Sequence, residues 1–309
     1  MARTTIPSAV RVYLDAMRPY LSEGTLVRKA RNLRTIARDL KTSVAPSQVG
    51  DGEIECLLLA WRSRGLDAAT QAKYLVDFDG FLAWNGNATI TNLRKNKHVR
   101  LPRPVSKPVR VLDDAEIERL RVAAESIEGW PGDVARFLVA FLPACGLRRK
   151  EIRLARLKDL DLAKGRILVA HPKGEGSWAA PDYGPVPAFV RPALEDFLEA
   201  RRAYLDGTDS EWLVPYRRVS GEIGPWSDPV FGWLKSELAR RSGVVFSLKT
   251  FRATFAQNAK DRGAPIEAVS RALRHASTHT TEAYYARIRA DDAFAEIERA
   301  FARPALRVE

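Results

Sequence analysis

The sequence predicts a mainly α protein. A small all-helical N-terminal domain is followed by a mixed α/β, mostly helical domain with one small antiparallel sheet. Three observations carry that prediction. Apolar residues recur at helical spacing along most of the chain, β-branched character is confined to one short stretch, and a basic, proline-bearing segment separates two nearly neutral parts.

In the first part, residues 1–93, Ser8 to Leu21 places Val12, Leu14, Met17 and Leu21 near helical spacing, bounded by Pro19 and Gly24. A second helix is expected from Glu23-Gly24-Thr25 to Leu40, with Thr25 as its N-cap. Its apolar face is Leu26, Leu33, Ala37 and Leu40, and Arg31, Arg34, Arg38 and Lys41 form a neighbouring stripe. That stripe suits either phosphate contact or a solvated face. Val49 to Arg64 and Ala68 to Trp84 read as two more amphipathic helices, separated at Gly65.

Residues 94–110 form the linker. The whole chain carries 50 basic against 38 acidic side chains, a formal charge of +12. Residues 1–93 hold 12 basic and 9 acidic groups (+3), residues 111–309 hold 31 and 29 (+2), and the linker alone carries +7. Its cations are Arg94, Lys95, Lys97, Arg100, Arg103, Lys107 and Arg110, set among Pro102, Pro104 and Pro108. Such a segment is expected to be extended, either as a strap for a polyanion or as a solubilising spacer.

In the second part, residues 111–309, Leu112-Asp113-Asp114-Ala115-Glu116 opens a helix with acids at its positive end. Helices are expected from about Asp133 to Leu142 and Arg149 to Leu157. Arg166 to Ala170 is the β-branched run, Pro172-Lys173-Gly174-Glu175-Gly176 a turn, and Gly184 to Pro187 a short returning strand. From Val190 onward the pattern is helical, broken between Gly221 and Pro229. An amphipathic tail, Asp291 to Arg303, carries Ala293, Phe294, Ile297 and Phe301 on one face.

Several function classes are disfavoured. The longest apolar run, Phe137 to Leu142, is far below the ~18–20 residues that span a bilayer, so no membrane partner is expected. The first ten residues lack the apolar core of a secretory signal. Two cysteines make no disulfide framework, which suits a reducing, cytoplasmic compartment. None of the four histidines pairs with cysteines or acids at metal-ligand spacing, so no metal is expected.

Polar groups in the second part form an ordered set. Cys145-Gly146-Leu147-Arg148-Arg149-Lys150-Glu151-Ile152 sets two arginines at a helix start, with Arg148 three residues from Glu151. Lys173 follows in a turn, Lys249 and Arg252 stand one helical turn apart, and His275 precedes Tyr284 and Tyr285. This order resembles the tyrosine recombinase (phage integrase) family. The family has a Gly-Leu-Arg-x-x-Glu box, a β-hairpin lysine, a His-x-x-Arg box, a Leu-Gly-His box, and a tyrosine nine residues after that last histidine. Here 275 + 9 = 284, which favours Tyr284 over Tyr285. Thr280 and Thr281 also fit the pattern, and the resemblance covers about Val111 to Ile288. Lys249 stands where the family usually has histidine, Arg274 where it has glycine, and Ala253 where many members carry a second histidine. The lysine and the Tyr-Tyr-Ala-Arg ending are similar to integrases of some archaeal viruses.

The resemblance implies a site-specific recombinase acting on double-stranded DNA through a 3′-phosphotyrosine intermediate, without cofactor. In that reading Tyr284 attacks phosphorus, Arg148 and Arg252 stabilise the transition state, Lys249 and His275 add donors, and Lys173 is the general acid. It implies a tetramer on DNA, joined through the C-terminal helix, and a nucleoid-associated location. Arg31, Arg34, Arg38, Arg94, Lys95, Lys97, Arg100, Arg103 and Lys107 are the candidate DNA contacts. The alternative is a DNA-binding protein of recombinase ancestry that no longer cuts.

Overall fold

The structure, a computed structural model, describes residues 5–40, 44–96, 99–105, 109–176, 179–275, 277–284, 294, 297, 298 and 301. The chain divides into two compact units, residues 1–106 and 107–309.

The first unit is all helical: α1 (Ile6–Met17), α2 (Glu23–Leu40), α3 (Asp51–Ser63), α4 (Ala68–Trp84) and α5 (Thr89–Asn96). Its core gathers Tyr13, Leu33, Ile36, Trp61, Phe78 and Phe81. One buried carboxylate fixes α2 against α4: Asp77 accepts from Arg28 Nη1 at 2.8 Å and Asn32 Nδ2 at 2.7 Å, and Lys29 Nζ lies 3.1 Å away. A lone buried carboxylate is costly, so these partners hold the helix pair in one register. The exposed face of α2 that remains carries Arg31, Arg34 and Arg38.

Two expectations are corrected here. α2 begins at Glu23, so Thr25 lies inside its first turn, where its hydroxyl meets Ser22 Oγ at 3.0 Å, and does not cap the helix. The basic linker does not begin as an extended strap. Arg94 and Lys95 sit in the last turn of α5, where cations offset the helix dipole, and Val99 and Leu101 pack on the N-terminal core. Beyond the linker's prolines, Arg110 pairs with Glu116 in the second unit. Apolar residues inside a charge-rich segment thus recruit it into flanking structure.

The second unit comprises α6 (Asp114–Glu125), α7 (Gly129–Cys145), α8 (Arg149–Arg153), β1 (Leu160–Asp161), β2 (Arg166–Val169), β3 (Asp182–Pro185) and α9 (Arg191–Leu205). It continues with β4 (Pro215–Arg217), β5 (Ile223–Pro225), α10 (Asp228–Ser242), α11 (Leu248–Asp261), α12 (Ile266–Ala272) and α13 (Thr278–Tyr284). Mostly helical with small antiparallel sheets, it has the predicted fold class. α7 is the central helix, apolar nearly all round, and its Phe137 stacks on Phe197 of α9 with ring centroids 4.0 Å apart. It runs further than the sequence suggests at both ends. Pro143 falls near its C-terminus, where the missing N–H costs a single hydrogen bond rather than breaking the helix.

β1, β2 and β3 form an antiparallel sheet in that order, with Ile167 opposite Gly184 and Val169 opposite Asp182. The returning strand therefore starts two residues earlier than expected. A second hairpin, β4–β5, departs from expectation: β5 lies in the stretch read only as a break in the helical pattern, and β4 in sequence read as helical. Its strands have three residues each, too short for a period-2 signal, and it is anchored by two indoles. Trp130 Nε1 and Trp226 Nε1 both donate to the Pro215 carbonyl, at 2.8 and 3.0 Å.

α7 ends at Gly146, whose φ of +62° lies in the left-handed region. This turn aims Arg148 inward. A Cβ at Gly146 would lie 2.6 Å from Phe255 Cδ1 and 2.9 Å from Leu273 Cδ2. Gly146→Ala is therefore expected to cost about 2–4 kcal/mol from left-handed strain and crowding, measured by urea unfolding.

Candidate active site

Arg148 is the N-cap residue of α8, and Glu151 is its third helical residue. The pair closes on itself: the Arg148 backbone N–H donates to Glu151 Oε2 at 2.8 Å, and Arg148 Nη1 donates to Glu151 Oε1 at 2.6 Å. The Glu151 carboxylate thus caps the helix start through one oxygen and holds the catalytic candidate's side chain through the other. The Glu151 side chain is 1% exposed and also receives Arg274 Nη2 at 2.7 Å, with Arg252 Nη1 3.8 Å away. Burial drives its carboxyl pKa up, but the guanidinia of Arg274 and Arg148, the Arg148 N–H and Arg252 outweigh that and hold it below the usual range.

Arg252 lies on the buried face of α11, itself 1% exposed. Nη1 donates to the Gly146 carbonyl at 2.6 Å, and Nη2 donates to the Leu273 carbonyl and to His275 Nε2, the latter at 3.1 Å. A guanidinium only donates, so His275 Nε2 is the acceptor and Nδ1 carries the proton. Nδ1 meets Thr281 Oγ1 of α13 at 2.7 Å, where the hydroxyl accepts. Burial first, then the charges of Arg252, Arg148 and Arg274, push the His275 pKa down to about 3. At neutral pH this imidazole is uncharged and works as a directed hydrogen-bonding group rather than a cation.

Arg148, Lys173, Lys249, Arg252 and His275 line one cleft of about 660 Å³, together with Arg149, Lys235, Ser247 and Thr280. Five candidates spread over more than a hundred residues therefore meet in one place. Lys173 reaches it from the turn after β2, and Lys249 from the first turn of α11. Tyr284 is the last residue of α13; its side chain, and Tyr285 entirely, lie outside the described residues. Among the described residues no cluster of histidine, cysteine and acids has the makings of a metal site, and no helix is long and apolar enough to cross a membrane.

Three participants stand outside the sequence-predicted site residues. Arg149 and Lys235 enter the cleft, and Arg274 shares Glu151. Arg149 is visible as the second of two arginines at a helix start and Arg274 as the residue replacing a family glycine, whereas nothing in the sequence marks Lys235.

The N-terminal candidates fall into two separate concavities. Arg34 and Arg38 line a groove of about 640 Å³ between α1 and α2, with Arg31 exposed on the same helix. Arg94, Arg100 and Arg103 line another of about 970 Å³, joined by Arg62, which donates to the Arg100 carbonyl. Lys95 is exposed at the end of α5, whereas Lys97, Lys107 and most of the tail lie outside the described residues.

Two outcomes follow from the buried charges. Glu151→Gln leaves three guanidinia without their carboxylate, and is expected to cost about 3 kcal/mol in urea unfolding. For His275 the folded pKa, about 3, lies below the free value of 6.5, so the unfolded chain binds an extra proton between those values. Its contribution is complete above pH 6.5 and lost as pH falls toward 3. With solvent screening, the loss is less than about 1.4 kcal/mol per pH unit. Comparing urea unfolding of wild type and His275→Gln at pH 7 and 5 should show a shallower pH dependence in the variant.

Comparison with known proteins places this geometry. A model of the phage integrase family matches residues 110–291. The chain is 28% identical over 272 residues to the tyrosine recombinase XerD of Caulobacter vibrioides, covering 85% of this chain and 86% of that one. It is 29% identical over 231 residues to XerD of Pseudomonas aeruginosa, covering 73% and 74%. The Tn1549 transposon integrase, solved in complex with transposon right end DNA, shares the fold with a TM-score of 0.70 at 18% identity, over 95% of this chain and 99% of that one. Lambda integrase, solved as a tetramer bound to a Holliday junction, does so with a TM-score of 0.67 at 15% identity, over 100% and 81%. The chain belongs to the phage integrase family and is a tyrosine-type site-specific recombinase.

Proposed function

We infer that the cleft binds one phosphodiester of duplex DNA and that Tyr284 cuts it. The observation that carries this is the charge of the cleft. Arg148, Arg252 and Arg274 surround a single carboxylate, a local excess of 3 − 1 = +2, and Lys173 and Lys249 stand beside them. A phosphoryl transition state gathers negative charge on its non-bridging oxygens, and preorganised guanidinia stabilise it without reorganising.

In the proposed reaction Tyr284 Oη gives up its proton to water and forms a bond to phosphorus as the bond from phosphorus to the 5′-oxygen breaks. Arg148 and Arg252 hold the non-bridging oxygens, with Lys249 as a further donor in place of the usual histidine. Lys173 gives its proton to the departing 5′-oxygen. The product is a 3′-phosphotyrosine and a free 5′-hydroxyl. A partner strand's 5′-hydroxyl then reverses the step, so the bond energy is conserved and no nucleotide triphosphate is consumed. His275, held neutral by burial, orients the pocket from Thr281, directly on the helix that ends in Tyr284.

The N-terminal unit supplies cations for sequence-independent phosphate contact, Arg31, Arg34 and Arg38 on α2, and Arg94, Lys95, Arg100 and Arg103 beyond α4; Lys97 and Lys107 of the linker sequence are further candidates. Duplex recombination needs several copies, and the exposed Phe294, Ile297 and Phe301 suit docking of the C-terminal segment on a neighbouring protomer. The lambda integrase tetramer supports such an assembly.

A pool of nicked duplexes with randomised arms tests the reading. A nick near the cleavage position lets the leaving fragment diffuse away, so covalent complexes accumulate and survive denaturation. Wild type is expected to yield adducts on a recoverable DNA sequence, and Tyr284→Phe none. Adducts that persist in Tyr284→Phe, or their absence in wild type, would contradict the assignment.

A further inference from the structure

Arg274, immediately before His275, has φ +54°, in the left-handed region where a side chain is disfavoured and glycine is at ease. Such strain persists where surrounding contacts over-determine it, and here the guanidinium supplies them. The side chain is 5% exposed. Nη2 donates to Glu151 Oε2 at 2.7 Å and Nη1 to the Ala272 carbonyl at 2.8 Å, while the buried Nε has no hydrogen-bond partner among the described residues.

The other side of the guanidinium rests on a strand. A Cβ at Gly184 of β3 would stand 2.7 Å from Arg274 Nη1 and 3.1 Å from Leu147 Cδ2. Glycine at that position therefore leaves the space that the guanidinium fills. β3 pairs with β2 through Gly184 and Ile167, and the segment joining those strands carries Lys173. A second arginine ties the same elements at the surface, since Arg271 of α12 pairs with Asp182 of β3.

We propose that Arg274 is a positioning residue: it links Glu151, and through it Arg148, to the backbone of β3 at Gly184, setting the Lys173 hairpin and the His275 turn against the arginine pair. This rests on the function inferred above. Arg274 has no contact with the reacting atoms in this account. Its role is to make one rigid body of three elements that each deliver one group to the phosphate.

The test uses the full chain and a nicked duplex recovered from the randomised pool. Arg274→Gly relieves the left-handed strain but leaves the buried Glu151 one guanidinium short. Its melting temperature is therefore expected to fall, and rates are compared at a temperature where both proteins are fully folded. Adduct formation at saturating duplex should slow there by about 30-fold, with duplex affinity within about threefold. Gly184→Ala should also slow the reaction, but add less than about threefold in the Arg274→Gly background, because both changes break one contact. A second readout needs no reaction: amide hydrogen exchange across 182–185 should accelerate about tenfold in Arg274→Gly, with α7 unchanged. Wild-type adduct rates in Arg274→Gly, a parallel loss of affinity and rate, additive effects of the two substitutions, or unchanged exchange would each overturn the proposal. If wild type itself forms no adduct, the functional reading fails, while the exchange measurement still decides whether Arg274 holds β3.

Discussion

The site depends on one buried carboxylate. Glu151 lies almost wholly out of water, and removing a carboxylate from water costs several kcal/mol unless charge and hydrogen bonds replace the solvent. Arg148 supplies both from the same helix start, Arg274 arrives from 123 residues away, and Arg252 sits within ion-pair distance. Each arginine is held by backbone or carboxylate before any ligand arrives. The excess positive charge that results is tolerated in the folded protein because Glu151 offsets part of it, and it becomes useful only when an anion enters.

The same arrangement explains the state of His275. An imidazole beside three guanidinia, partly removed from water, has little reason to take up a proton. Arg252 donating to Nε2 then sets the tautomer, and Nδ1–H is directed to Thr281. The group is therefore anchored to α13 rather than to solvent, which connects the arginine cluster to the helix that ends in Tyr284. Lys249 at the family's histidine position adds a cation to the cleft, and the neutral imidazole at 275 moderates the crowding of like charges.

Much of this was legible in the sequence, and the divisions follow physical lines. Long helices such as α4 show their apolar spacing over four turns, and the residues of the cleft declared themselves by order and by the nine-residue interval to Tyr284. The second hairpin was hidden because three-residue strands have no measurable period, and one of its two indole anchors, Trp130, lies 85 residues away in sequence. The linker misled because its charge was read before its apolar residues, whereas Val99 follows burial and not composition. Arg274 registered only as a departure from a pattern. Its meaning depends on a positive φ, a distant carboxylate and a glycine on another strand, three facts that spacing does not encode.

The central claim is that the cation cluster around Glu151 activates one tyrosine at the end of α13. Its most direct test is the chemical identity of the protein–DNA bond. Trapped adducts digested with trypsin should yield the peptide spanning residues 275–287, which contains both candidate tyrosines. Fragmentation in a mass spectrometer then distinguishes them. The account predicts a 3′-linked nucleotide phosphate on Tyr284; the same modification on Tyr285, or on a residue outside this peptide, would contradict it.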